Sequence, residues 1–273
     1  MIHEVLLAID VGNTNVTVGA FQGEKLLNLW RLGTDPKKTA DEYGTALRAV
    51  VGLNGSGTSK VVGLVYGSVV PALNPAFEGA ARRYFGVEAV AVTPESPLGL
   101  TLKVDQPSEV GADRILNSLA AIRLVGAPAI VIDFGTATTF DCISAKGEYL
   151  GGSILLGPKM QAAALARYTA KLPEVDVQKP KRVIGTSTVS CIQAGLYYGY
   201  LGMLERVLEG SLAEMKAAAR GRKIHVVATG GLAPLFLTDL KGVQRHMPDL
   251  TLQGLRLAFE SLKQTPNRAE VQR

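Results

Sequence analysis

Two stretches of this chain share one grammar. Val5 to Phe21 (VLLAIDVGNTNVTVGAF) and Ile130 to Ile143 (IVIDFGTATTFDCI) each run as an apolar strand into an aspartate, Asp10 or Asp133, and then turn on small residues. Aligning the aspartates also aligns Gly12 on Gly135, with hydroxyl or amide side chains after each. Beyond the first turn, Val16, Val18 and Ala20 alternate with Asn15, Thr17 and Gly19, the period of a strand with one buried face. Each stretch is therefore expected to be a β-hairpin with a carboxylate closing its first strand. Asp and Asn beside glycine are common turn formers, so one copy would carry no site. A second copy at the corresponding place implies an internally duplicated chain. The backbone N–H groups from Gly12 to Asn15 can close around an anion. A cleft between the halves, with the two aspartates facing each other, would suit a nucleotide with its metal.

The 273 residues suffice for two domains, and 47% hydrophobic against 19% charged residues describes a folded globular chain. The net charge of +5 suits anionic small molecules. Its basic residues fall in small groups (Arg82–Arg83, Lys179 to Arg182, Arg220 to Lys223) without interleaved aromatics, which argues against a nucleic-acid partner. The two cysteines, Cys142 and Cys191, give neither a disulfide framework nor metal-ligand spacing. Asp10 interrupts the one apolar run near the N-terminus and no stretch approaches the length of a membrane span, so a cytoplasmic protein with no membrane partner is expected.

The first hairpin leads to a strand at 25–32, a helix at 39–51 with Tyr43, Leu47 and Val50 on one side, and a flexible loop at 54–59. A buried strand at 60–69, a helix at 74–85 and a strand at 87–92 complete the strand and helix order of a ribonuclease-H-like domain. A loop rich in Pro, Gly and Ser over 93–110 enters a helix at 111–125, capped by Ser108 or Gly111, with Glu109 or Asp113 in its first turn accordingly. The second half repeats the plan. A strand at 148–156 broken by Gly151 and Gly152, a helix at 159–169, a connection at 171–185 and a long helix at 188–208 bent near Gly195 or Gly199 are expected. A strand at 224–229 runs into Gly230 and Gly231, and a last helix spans 252–262 before a polar tail. The predicted fold is α/β, two ribonuclease-H-like domains at 1–117 and 118–273 arranged as an actin-like ATPase duplication with an interdomain cleft.

The chain lacks a Walker-A loop, a GxSxG elbow, an HExxH pair and a dinucleotide fingerprint, and offers no plausible base among His3, His225 and His246. Phosphoryl transfer asks for little beyond backbone donors around the phosphates, a carboxylate-held metal and a carboxylate near the acceptor hydroxyl. The two hairpins, the Gly-Gly strand end and Asp113 supply those parts.

DVGNTN (Asp10–Asn15), PSEVGADR (Pro107–Arg114), DFGTATT (Asp133–Thr139), TAKLP (Thr169–Pro173) and ATGG (Ala228–Gly231) together resemble the type III pantothenate kinase family of the acetate and sugar kinase/actin-like superfamily. The resemblance implies ATP-dependent phosphorylation of the primary hydroxyl of pantothenate to 4'-phosphopantothenate, the first step of coenzyme A biosynthesis. It implies a homodimer, and magnesium with a monovalent cation, potassium or ammonium. It assigns Asp10, Val11, Gly12, Asn13, Thr14, Asn15, Val16 and Thr17 to ATP, Asp10 holding magnesium through water. By the same resemblance Asp113 accepts the hydroxyl proton, and Gly111, Ala112 and Arg114 bound the pantothenate site. Asp133 holds the monovalent cation, Thr136 touches the phosphates, Gly230 and Gly231 lie under the nucleotide, and Thr188 reaches pantothenate from the neighbouring subunit.

Two positions depart from the family pattern: Val104 stands where a substrate-contacting tyrosine is common, and GGSILLGP (Gly151–Pro158) has leucine where proline is common. A helix start is expected to lower the pKa of Asp113 and make it a weak base. Two other functions fit the hairpins alone. One is a superfamily kinase acting on a sugar or small hydroxy acid, against which GADR argues. The other is a nucleotide-binding regulator without activity, in which one of Asp10, Asp113 and Asp133 should be replaced, and none is.

Overall fold

A computed structural model describes residues 4–52 and 60–264, so the expected loop at 54–59 and the tail after 264 lie outside the described residues. The contacts divide the chain into two units. One takes the described residues of Met1–Leu100, Asp105–Ala120 and Leu250–Arg273, the other Thr101–Val104 and Ala121–Asp249. The chain crosses between units near the expected cut at 117/118, and its final segment then returns to the first unit.

In the first unit, β1 (Glu4–Val11), β2 (Asn15–Gln22) and β3 (Lys25–Gly33) form an antiparallel meander. Helix α1 (Ala40–Gly52), strand β4 (Lys60–Ser68), helix α2 (Asn74–Ala80) with a following π-helical turn (Ala81–Phe85), and strand β5 (Ala89–Val92) come next. Thr39 and Glu42 start α1 with reciprocal side-chain to backbone bonds, Glu42 accepting from Thr39 N–H at 2.8 Å and Thr39 Oγ1 from Glu42 N–H at 3.3 Å. Strands β4 and β5 join β1 in parallel, giving the order β3-β2-β1-β4-β5. One face of this sheet, with Leu7, Ile9, Leu64 and Tyr66, buries Tyr43 of α1 and Phe77 of α2, whose rings lie 4.7 Å apart.

The other face carries small residues at Ala8, Gly19, Gly63 and Gly67, and α8 (Leu250–Gln264) lies against it. A Cβ at Gly63 would run into the Phe259 ring, and one at Gly19 would come within 3.0 Å of Leu252 Cδ1. Helix α3 (Ala112–Leu124) meets α8 on this side, and Gly254 sits on the Leu116 backbone so closely that a methyl group there would overlap the carbonyl. Gly254→Ala is therefore expected to cost about 1–3 kcal/mol, the range of overpacked cores, read as a lower denaturation midpoint.

In the second unit, β7 (Ala129–Phe134), β8 (Ala137–Ile143) and β9 (Glu148–Leu156) form the same antiparallel meander. Parallel β10 (His225–Thr229) and β11 (Arg245–His246) extend it from β7, so the order β9-β8-β7-β10-β11 reproduces that of the first sheet. Strand β6 (Thr101–Leu102) adds itself beyond β9 and carries 101–104 into this unit. The long loop expected there hides this short strand. Contrary to the expected break, β9 is continuous through its glycines. Gly151 takes φ +96°, and the register shift between Asp141 and Ile143 absorbs the irregularity.

Helix α4 (Pro158–Arg167) precedes an irregular segment at 168–187, and α5 (Thr188–Ala194) opens on a Ser187–Ser190 capping box. The expected bend is a five-residue π-helical turn, Gly195–Gly199, after which α6 (Tyr200–Ala219) runs well past the expected end at 208. Helix α7 (Ala233–Phe236) follows β10. The core packs Ile130, Ile132, Phe134 and Phe140 against Tyr197, Tyr200, Leu204 and Phe236.

Candidate functional site

The parallel neighbours of β1 decide what lies beside Asp10. Asp10 pairs with Thr17 across the hairpin and with Gly67 on β4, on the small-residue face of the first sheet near its carboxyl edge. A Cβ on Gly67 would meet Leu116 Cδ1 at 2.7 Å and the Ala112 methyl at 3.4 Å, so the first turns of α3 rest on that edge. Asp10 and the helix start bearing Gly111, Ala112, Asp113 and Arg114 thus share one face and one edge of one sheet. Beyond Asp10 the turn closes with Gly12 N–H donating to Asn15 C=O at 3.0 Å. Thr34, just past β3, braces it by donating its hydroxyl to Gly12 C=O at 2.7 Å and its N–H to Thr14 C=O at 3.1 Å. In the sequence Thr34 is a lone threonine after a strand, with nothing to mark this role.

Asp113 is half-buried, and its Oδ1 accepts from the Arg114 N–H at 2.9 Å. A Cβ at Gly111 would collide with that oxygen, so only glycine there lets the carboxylate fold back over the helix start. Its acidity reverses the expectation. Burial pushes the carboxyl above the usual carboxylate range, outweighing the Arg114 N–H and the Arg114 charge that act the other way. A helix start contributes a few tenths to about 1 kcal/mol, and desolvation of a carboxylate exceeds that.

In the second unit Asp133 is half-buried, across from Thr139 on β8 and beside Thr229 on β10. The hairpin turn at Gly135 and Thr136 is exposed and is braced from the third strand, as in the first unit: Gly157 N–H donates to Thr136 C=O at 3.2 Å. Gly230 takes φ +90°, and a Cβ there would lie 2.6 Å from backbone atoms of Phe134, whereas one at Gly231 would meet nothing within 4 Å. The strand end therefore hugs β7 on one side and is open on the other, where a flat ring can lie against it. Gly230→Ala should lose about 1–3 kcal/mol of stability, as for other residues forced into disfavoured backbone conformations, read as a lower denaturation midpoint.

Thr188 is exposed at the start of α5, on the wall of an open cavity of about 1220 Å³ that it shares with Leu156, Tyr168 and Leu172. The aspartates fall one per hairpin, Asp10 in the first unit and Asp133 in the second, with Asp113 also in the first. Among the described residues no three His, Cys, Asp or Glu side chains cluster to cage a metal. The donor sets nevertheless fit the implied ions. Magnesium keeps most of its waters and takes one or two carboxylates plus substrate phosphates, a set to which Asp10 can contribute a carboxylate. A hard monovalent cation takes oxygen ligands, and the strand partners of Asp133, Thr139 and Thr229, both carry hydroxyls.

The type III pantothenate kinase family model matches residues 6–210. The chain belongs to this family. It is 46% identical over 256 residues to the type III pantothenate kinase of Moorella thermoacetica, covering 94% of this chain and 99% of that one. It is 45% identical over 260 residues to that of Roseiflexus castenholzii, covering 95% and 100%. Among solved structures, a Campylobacter jejuni protein provisionally named a Baf family transcriptional activator superposes with a TM-score of 0.53 at 16% identity, covering 93% of this chain and 98% of that one. A Sinorhizobium meliloti protein provisionally named a 2-dehydro-3-deoxygalactonokinase gives 0.53 at 13%, covering 96% and 97%. These likenesses show the fold alone, a duplicated α/β architecture whose two sheets repeat one strand order.

Proposed function

We propose that this chain transfers the γ-phosphoryl group of ATP to the primary hydroxyl of pantothenate, giving 4'-phosphopantothenate and ADP in the first step of coenzyme A biosynthesis. Family membership supports the reaction. The observation that carries the residue assignment is the shared edge of Asp10 and the α3 start. In this reading residues 10–17 and Thr136 wrap the phosphates, and Gly230 and Gly231 lie under the nucleotide. Asp10 holds magnesium through water and Asp133 holds a monovalent cation. Bound magnesium neutralises charge on the transferring phosphoryl group. Gly111, Ala112 and Arg114 position pantothenate, and Thr188 reaches it from the neighbouring subunit. The Asp113 carboxylate orients the acceptor hydroxyl and takes its proton as the new P–O bond forms and the bond to the ADP oxygen breaks. A raised pKa makes it a stronger base than an ordinary aspartate.

A second copy of the chain covers the apolar surface around Thr188, where Leu156 and Tyr168 are 51% and 80% exposed. With no helix long and apolar enough to cross a membrane among the described residues, a cytoplasmic place goes with this reading. The experiment is a coupled ADP-release assay with pantothenate against a panel of sugars and hydroxy acids, in potassium, ammonium and sodium. Release only with pantothenate, faster in potassium or ammonium, is expected. Release with a sugar, or with no acceptor at all, overturns the substrate.

A further inference from the structure

The second hairpin is clamped from beneath. Phe134 and Thr138 are its last cross-strand pair before the turn at Gly135 and Thr136. Under Phe134 lies the Phe236 ring, stacked at 6.0 Å and 11°. Under Thr138 lies Tyr200, fully buried, whose hydroxyl shares a hydrogen bond with the equally buried Thr138 hydroxyl. Tyr200 also packs on Phe236 at 4.7 Å, so both halves of the closing pair rest on one aromatic cluster. Tyr200 is the first residue after the π-helical turn at Gly195–Gly199, a feature frequently found at functional sites because it re-aims side chains. Burial raises the Tyr200 hydroxyl to about 12, so the tyrosine stays a neutral hydrogen-bonding group.

We propose that Tyr200 is a positioning residue for the nucleotide site, its bond to Thr138 fixing the hairpin turn so that Thr136 and Asp133 meet the phosphates and the cation. This rests on the reading of Asp133 and Thr136 given above. Tyr200→Phe keeps the ring and removes only the hydroxyl. It should raise the KM for ATP about three- to tenfold, the worth of one buried hydrogen bond, while the KM for pantothenate stays within about twofold. The rise in Tm on adding MgATP and potassium to the enzyme without pantothenate should shrink in parallel. Thr138→Val should do the same, the double variant should be no worse than either single one, and Thr138→Ser should restore the parental values. Parental ATP binding in Tyr200→Phe overturns the proposal whatever its unliganded Tm does. So does an equal loss for both substrates, which marks a general packing role. A parental enzyme whose Tm does not respond to MgATP overturns instead the assignment of the hairpin to ATP, and the positioning role with it.

Discussion

Asp113→Asn should lower turnover by roughly 10² or more, the range of positioned acid–base groups, and leave the fold intact. Asparagine keeps the shape and can still accept the Arg114 N–H, but it cannot take a proton. The same variant should melt at a higher temperature than the parent at neutral pH. Burial raises the folded-state pKa of Asp113 above its unfolded value. Between those two values the folded chain holds a proton that the unfolded chain has lost, so stability falls as pH rises through that window and stays lower above it. Asparagine behaves as the protonated form at every pH and escapes that loss. Activity moves the other way. The base form disappears as pH falls through the raised pKa, so the acid limb of kcat/KM should lie above the usual carboxylate value of about 4. Parental turnover in Asp113→Asn would remove the residue from the chemistry. A lowered Tm at neutral pH would show that the carboxylate is well solvated and the burial argument wrong.

Physical reasons separate what the chain discloses before folding from what it does not. Asp10 and Asp133 are legible because a charge ending an apolar strand before a glycine, an ordinary turn when met once, occurs twice at corresponding places. The meanders are legible from alternation. The order β3-β2-β1-β4-β5 is not, since it depends on β4 crossing to pair with β1, a contact between segments remote in sequence. The return of α8 to the first sheet is equally non-local. It rests on Gly19 and Gly63 leaving room for Leu252 and Phe259, glycines that in sequence read only as weak strand residues. The raised pKa of Asp113 is not legible in the sequence because its place in a helix is local while its burial is not. Thr34 gave no signal, because bracing a turn needs only one hydroxyl at the end of a neighbouring strand.

Asp133→Asn should raise the half-saturating potassium concentration tenfold or more and weaken MgATP binding with it, while the KM for pantothenate changes little. The magnitude follows from the donor set. A monovalent cation has a single charge to offer, so replacing a carboxylate that ligates it with a neutral amide removes a charge–charge attraction, and losses of about 10- to 100-fold accompany even outer-shell changes at metal sites. Packing gives little reason for a matching loss of stability. Asp133 sits next to the end of β7 on the face opposite Phe134 and the Phe236 stack, and asparagine is close to isosteric there. Measuring ATP-dependent Tm shifts at fixed ionic strength, with potassium exchanged stepwise for sodium, isolates the cation from general salt screening. A variant whose potassium dependence matches the parent would move the monovalent site away from Asp133. A variant that loses ATP binding equally in both salts would instead make Asp133 a group that acts on the nucleotide without the cation.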